Sequence, residues 1–191
     1  AEILNQIENY SFNPDNMFHS FEHIYIMAEA EKQAYADRAK YLGDPDFNSF
    51  DVKRLVTQEY ADSLWSNISL EKQIDIDDIY NFPDMESEET THYSVVDKWG
   101  NAVSVTTTLN GWFGTGIVVD GAGFLLNNEM DDFSSKPGHP NKYGLIGSEA
   151  NSIEPGKRML SSMSPTIVTD MDNDLFLVLG SPGGSTIITT V

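Results

Sequence analysis

The sequence predicts an α+β protein, and three patterns point there. Helical periodicity runs through the first third, branched and aromatic strand-like runs fill the second half, and loops rich in glycine and proline separate those runs. Phe18, Phe21, Tyr25, Ala28, Tyr35, Ala39 and Leu42 recur at three- and four-residue steps, which predicts a helix over roughly 17–42. Asn13-Pro14-Asp15-Asn16 supplies capping and breaking residues before it, and Gly43-Asp44-Pro45 ends it. Leu55, Val56, Tyr60, Leu64 and Trp65 predict a second, shorter helix. The acidic stretch 68–89 carries a proline and reads as a loop or linker.

Character changes near residue 90. Residues 93–96 and 102–108 flank Asp97-Lys98-Trp99-Gly100-Asn101, and branched runs around a short glycine-containing loop predict a hairpin. Phe124-Leu125-Leu126, Thr166-Ile167-Val168 and residues 175–179 are further strand candidates. The stretch 136–156 reads as loop, and no internal repeat is visible. Ile187-Ile188-Thr189-Thr190-Val191 is apolar, either β-prone or the start of a buried helix. Such an end suits the interior of a longer protein better than a frayed terminus.

With 30 acidic against 11 basic side chains the formal net charge is −19, which argues against nucleic acid and against anionic membrane surfaces as partners. A hydrophobic share of 40% is enough for a packed core rather than an acidic tail. The absence of cysteine excludes disulfides, thiolate metal sites and cysteine nucleophiles. No apolar run approaches the ~20 residues of a membrane helix, so no insertion is expected in this segment. The chain starts at Ala1 with neither an initiator Met nor a visible signal peptide, as a mature protein or an internal segment would.

His19-Ser20-Phe21-Glu22-His23 matches H-x-x-E-H, which on a helix would put two histidines on one face for a catalytic zinc. The alternative is a plain helix face with polar residues at its start. Glu129, Asp131 and Asp132, preceded by Asn127-Asn128, suit either a cation or cationic group or a solvated acidic turn. Gly180-Ser181-Pro182-Gly183-Gly184-Ser185 lacks the lysine or the spacing of a nucleotide loop. It remains either a mere turn or a set of backbone N–H donors for an oxyanion. Hydroxyls occur at Thr90-Thr91 and Ser161-Ser162, without a G-x-S-x-G elbow. A threonine freed at a chain terminus needs no histidine, because its own α-amine, with a pKa of about 7.7–8.0, can take the proton. Thr90 stands where the helical half gives way to the strand half.

Thr90-Thr91-His92-Tyr93-Ser94-Val95-Val96-Asp97, followed by Gly100-Asn101-Ala102-Val103-Ser104, resembles the start of the small subunit of the γ-glutamyltranspeptidases. The likeness continues through Thr108-Leu109-Asn110, Phe113-Gly114-Thr115-Gly116, residues 126–133, Lys157-Arg158, Leu160-Ser161-Ser162-Met163 and Gly180-Ser181-Pro182-Gly183-Gly184. Residues 36–45 resemble the end of the large subunit. The resemblance implies an N-terminal-nucleophile hydrolase with a four-layer αββα sandwich, incomplete in this chain. Residues 1–89 would belong to the large subunit and 90–191 to the small one, both cut from one precursor between Glu89 and Thr90.

By the same resemblance Thr90 attacks the γ-glutamyl carbonyl, Thr108 orients it, and Gly183 and Gly184 supply the oxyanion donors. Ser161 and Ser162 hold the α-carboxylate, while Asn110, Glu129 and Asp132 hold the α-amine. Charge agrees, since an ammonium suits the acidic cluster and a carboxylate suits hydroxyl donors. The implied activity is γ-glutamyl transfer from glutathione and related amides to amino acids, peptides or water, with no cofactor and no metal. A relative processing poly-γ-glutamate or another γ-glutamyl amide is the nearest alternative. A zinc protease using His19 and His23, or a catalytically dead binding module, are the rivals from other classes. The family's carboxylate-binding arginine has no counterpart here, since neither Arg38 nor Arg158 corresponds to it, so the segment alone is expected to be inactive. A periplasmic or extracellular address follows from the resemblance, and the acidic surface would suit a saline or secreted setting.

Overall fold

The computed structural model describes residues 1–11, 13, 18–70, 90–141 and 144–191. Most of the expected linker over 68–89, Glu89 included, lies outside the described residues. The chain forms two compact units, Ala1–Asn81 with Gly147–Arg158, and Phe82–Ile146 with Met159–Val191.

The first unit is helical: α1 (Glu2–Ile7), α2 (Phe21–Tyr41), a 3-10 turn (Val52–Val56) and α3 (Gln58–Trp65). The start of α2 lies later than the capping residues at 13–16 suggested. Ser20 is its N-cap, extended at φ −68°, ψ 160°, and its Oγ accepts the His23 N–H at 3.2 Å. His19 therefore precedes the helix, at φ 63°, and does not share a helical face with His23. Its backbone N–H donates to His23 Nδ1 at 3.2 Å, and its ring stacks on Phe18. Among the described residues no group of three or more His, Asp or Glu is placed to hold a metal ion.

The second expected helix divides at Thr57, which is extended and whose side chain accepts the Tyr60 N–H to start α3. Short α1 has too few turns for periodicity to reveal it; it buries Gln6 completely. Tyr25, Ile26 and Ala30 of α2 join Leu55 and Ala61 in the core of this unit. Segment Gly147–Arg158 is held to the end of α2. Arg158 donates from its backbone N–H and Nε to Asp44 Oδ2 at 2.8 and 2.9 Å, and Ser148 Oγ donates to the Lys40 carbonyl at 2.9 Å. Hydrogen bonding from Arg158 holds the Asp44 carboxyl well below the usual carboxylate range.

The second unit carries two antiparallel hairpins, β1 (Thr90–Val96) with β2 (Ala102–Thr108), and β3 (Thr166–Thr169) with β4 (Leu175–Leu179). Both turns use one device. Asp97 Oδ1 accepts the N–H groups of Trp99 and Asn101, and Asp170 Oδ1 accepts those of Asp172 and Asp174. The fourth turn residue has positive φ in each, Gly100 at 86° and Asn173 at 65°. Phe124-Leu125-Leu126 does not become a ladder strand. It folds back on Ile117 and Val119 around one isolated bridge, Val118↔Leu125, because the intervening Gly121 and Gly123 adopt left-handed φ of 75° and 76°. The apolar end is helical, α4 (Ile187–Thr190), with Ile187 only 1% exposed.

The hairpins meet through side chains. Ser94 Oγ donates to the Val178 carbonyl at 3.3 Å and Ser104 Oγ to the Leu179 carbonyl at 2.9 Å. The face of β1–β2 turned to β4 thus holds His92, Ser94, Ser104 and Thr106, by the two-residue period of a strand. Its opposite face holds Tyr93, Val95 and Val103, each about half exposed, at 51–53%.

Candidate active site

Counting back from the Asp97–Asn101 turn, the antiparallel register sets Thr90 opposite Thr108. Directly opposed strand residues have Cβ atoms ~4.5–5.5 Å apart, close enough for two hydroxyls to bond. Thr90 is 8% exposed. Thr108 Oγ1 accepts the Asn110 N–H at 3.0 Å, which leaves the hydroxyl's own proton to donate elsewhere.

Beyond Thr108 the chain turns sharply at Asn110, which is buried at 7% exposure and left-handed at φ 71°. Asn tolerates that region better than most residues with a side chain. Asn128 grips the turn: its Oδ1 accepts the Gly111 N–H at 2.8 Å, its carbonyl accepts Asn110 Nδ2 at 3.2 Å, and its N–H donates to the Leu109 carbonyl at 3.1 Å. This clasp ties the end of β2 to the acidic 3-10 turn Glu129–Asp132. Burial pushes the Glu129 carboxyl above its ordinary value.

Gly183 and Gly184 are consecutive left-handed residues, at φ 130° and 56°, where a side chain would be strained. Thr186 closes that turn with its N–H and Oγ1 both donating to the Gly183 carbonyl, at 3.1 and 2.8 Å. Ser161 Oγ accepts the Met163 N–H at 3.1 Å.

One pocket gathers residues far apart in the chain. Thr90, Thr108, Asn110, Asp132, Ser161, Ser162 and Gly184, all singled out from the sequence, line it together. Glu129 sits on the same acidic turn and Gly183 beside Gly184, but neither is among the lining residues. Glu89, the other half of the expected cleavage site, falls outside the described residues.

Leu145, Met163, Ser185 and Ile187 complete the lining and were not singled out from the sequence. Met163 ends a matched motif and Ser185 ends the glycine-rich loop, a signal that could have assigned them to the site. Ile187 carried only the burial signal of the apolar end, and Leu145 carried none. Asn128 lies in a matched motif beside the acidic cluster but has no role of its own in the sequence, and its clasp is visible only in three dimensions.

The mixed helix and strand fold is that of structures of the N-terminal-nucleophile hydrolase type. One is the cephalosporin acylase from Bacillus halodurans, 25% identical at a TM-score of 0.58, covering 83% of this chain and 25% of that one. A mutant of Helicobacter pylori gamma-glutamyltranspeptidase aligns over 53% of this chain and 54% of its own, 70% identical at a TM-score of 0.50. The chain belongs to the gamma-glutamyltranspeptidase family, whose model matches residues 1–191. In sequence it is 55% identical to the glutathione hydrolase proenzyme of Escherichia coli (strain K12), over 100% of this chain and 33% of that protein. The chain spans about a third of the length of the curated relatives it matches.

Proposed function

We propose that this chain is the junction-bearing part of a γ-glutamyltransferase precursor, and that the complete protein transfers γ-glutamyl groups from glutathione or related amides to amino acids, peptides or water. The observation that carries the reading is the pairing of Thr90 with Thr108 in the lining of a pocket that also presents Asn110, Asp132, Ser161, Ser162 and Gly184. The names of the relatives, glutathione hydrolase proenzymes, support both the substrate class and a processed precursor.

In the proposed mechanism Thr90 Oγ attacks the Glu89 carbonyl carbon, the peptide N–C bond gives way to an ester, and water hydrolyses that ester. The freed α-amine then accepts the proton of Thr90 Oγ as this oxygen attacks the γ-glutamyl carbonyl. Negative charge on the carbonyl oxygen is met by the N–H groups of Gly183 and Gly184, which glycine's left-handed turn can present together. The substrate C–N bond then breaks, its amine leaving with the proton returned by the Thr90 α-ammonium, and an incoming amine or water cleaves the γ-glutamyl ester. Thr108 donates its proton to Thr90 Oγ while Asn110 holds Thr108 from behind. Asn110, Glu129 and Asp132 receive the substrate ammonium, and Ser161 and Ser162 its carboxylate.

We also propose the four-layer αββα arrangement for the complete protein. The half-exposed apolar face of Tyr93, Val95 and Val103 supports it, being the kind of surface a helical layer covers.

Mass spectrometry of the complete precursor, with a γ-glutamyl anilide assay, tests the reading. Two pieces split before Thr90 and measurable turnover are expected, and both are lost in Thr90→Ala. Persistence of scission and turnover in that variant would refute it.

A further inference from the structure

The two hairpins of the second unit are separate ladders, β1 with β2 and β3 with β4. Among the described residues no backbone ladder therefore sets how far Thr90, on β1, stands from the glycine turn that follows β4. Side chains must do so, and one imidazole lies at the centre of those that do.

His92 follows Thr90 by two residues, on the same face of β1. Its Nδ1 lies 2.9 Å from Thr106 Oγ1 on β2, and its Nε2 lies 3.1 Å from Ser94 Oγ. Ser94 Oγ in turn donates to the Val178 carbonyl of β4. A carbonyl can only accept, so the Ser94 proton points there and the Ser94 oxygen takes a proton from Nε2. With the ring proton on Nε2, Nδ1 is left to accept the Thr106 hydroxyl proton. The relay thus runs in one direction, from Thr106 through His92 and Ser94 to Val178. The ring also occupies the space beside Gly180 where any side chain would have to go. Gly180 opens the turn that ends at Gly183 and Gly184.

We propose that His92 is a positioning residue: with Thr106 and Ser94 it forms a strut that fixes the spacing between the Thr90 hydroxyl and the Gly183–Gly184 donors. The inference rests on the reading of Thr90 and the two glycines given above. Its physical basis is the narrow tolerance of the reaction. Nucleophile and carbonyl must lie ~3–3.5 Å apart while the oxyanion donors sit ~2.7–3.1 Å from the developing charge. A side-chain strut touching both hairpins keeps the two separate ladders within that tolerance.

The test uses the complete precursor with Thr106→Val, Thr106→Ser, Ser94→Ala and, in parallel, Thr90→Ala. Thr106→Val is expected to lower kcat by about 10- to 100-fold per cleaved molecule with KM nearly unchanged, whereas Thr106→Ser restores turnover. Self-scission lost in the valine variant and kept in the serine variant counts the same way. Normal kcat in Thr106→Val, or equal losses for valine and serine, overturns the strut. Should Thr106→Val fail to fold, Ser94→Ala interrupts the same relay, and normal kcat there overturns it. Nitrogen-15 spectra of histidine-labelled protein, with the resonance assigned by His92→Gln, are expected to show the His92 proton on Nε2 and none on Nδ1. An Nδ1–H tautomer contradicts the relay whatever the activity. Retained scission in Thr90→Ala sinks the nucleophile reading instead, so the two failures are told apart.

Discussion

Thr108→Val isolates a single oxygen. Valine matches threonine in shape, so the substitution removes the Oγ1 that accepts the Asn110 N–H at 3.0 Å and leaves little else changed. Asn110 is 7% exposed, so its N–H finds no ready water in exchange. Removing the acceptor of a buried N–H costs about 1–3 kcal/mol. The strain falls on a left-handed residue already held by Asn128, and this turn sets where Asn110 meets the pocket. Taken wholly from transition-state stabilisation, that cost equals about a 5- to 150-fold loss of rate. Loss of the proton donated to Thr90 acts in the same direction. The assay is initial-rate turnover of a γ-glutamyl anilide by the complete protein, normalised to the cleaved fraction, with Thr108→Ser as the control that keeps the oxygen. Serine is expected to retain most of kcat and valine to lose it. A valine variant within twofold of the parent would refute the reasoning about both the turn and the nucleophile.

Two predictions concern the helical unit. Burial, with the nearby Asp37 charge second, pushes Glu2 up to about 7 from the usual 4.5, so the folded unit favours the protonated acid. The stability this contributes is whole below about pH 4.5 and is lost as the pH rises through about 7. Urea midpoints measured across that window should fall with rising pH, and Glu2→Gln should flatten the slope; an unchanged slope in that variant would count against the assignment. Arg158→Ala should speed limited proteolysis within 147–158, because the guanidinium and its backbone bind the Asp44 carboxylate together. Arg158→Lys should fall between, since an ammonium cannot make the fork, and equal nicking rates in all three proteins would contradict this.

Local information was readable from the chain. The β1–β2 hairpin could be read because a five-residue loop with aspartate first and glycine fourth dictates its own turn, and the turn dictates the register that pairs Thr90 with Thr108. The 21 residues of α2 carry enough periods to announce a helix. Its start was misplaced because several residues compete to cap it, and only the geometry of Ser20 shows which one accepts the His23 N–H. Helix α1, at six residues, offers too few turns for any pattern to register. Most of the pocket roster came from the family resemblance. Asn110 showed no chemistry of its own in the sequence, because its position depends on a clasp from Asn128, eighteen residues away.

Only the assembled structure settles which side of the first hairpin turns inward. Alternation along β1 and β2 would by itself put Tyr93, Val95 and Val103 in the core and His92, Ser94 and Thr106 in water. The second hairpin instead docks on the polar face, its carbonyls at Val178 and Leu179 accepting the hydroxyls of Ser94 and Ser104, so that His92, Ser104 and Thr106 become half-buried while Ser94 stays exposed. Periodicity along a strand specifies that its two faces differ. Which face is buried depends on the partner that satisfies it, and that partner here lies about eighty residues further along the chain.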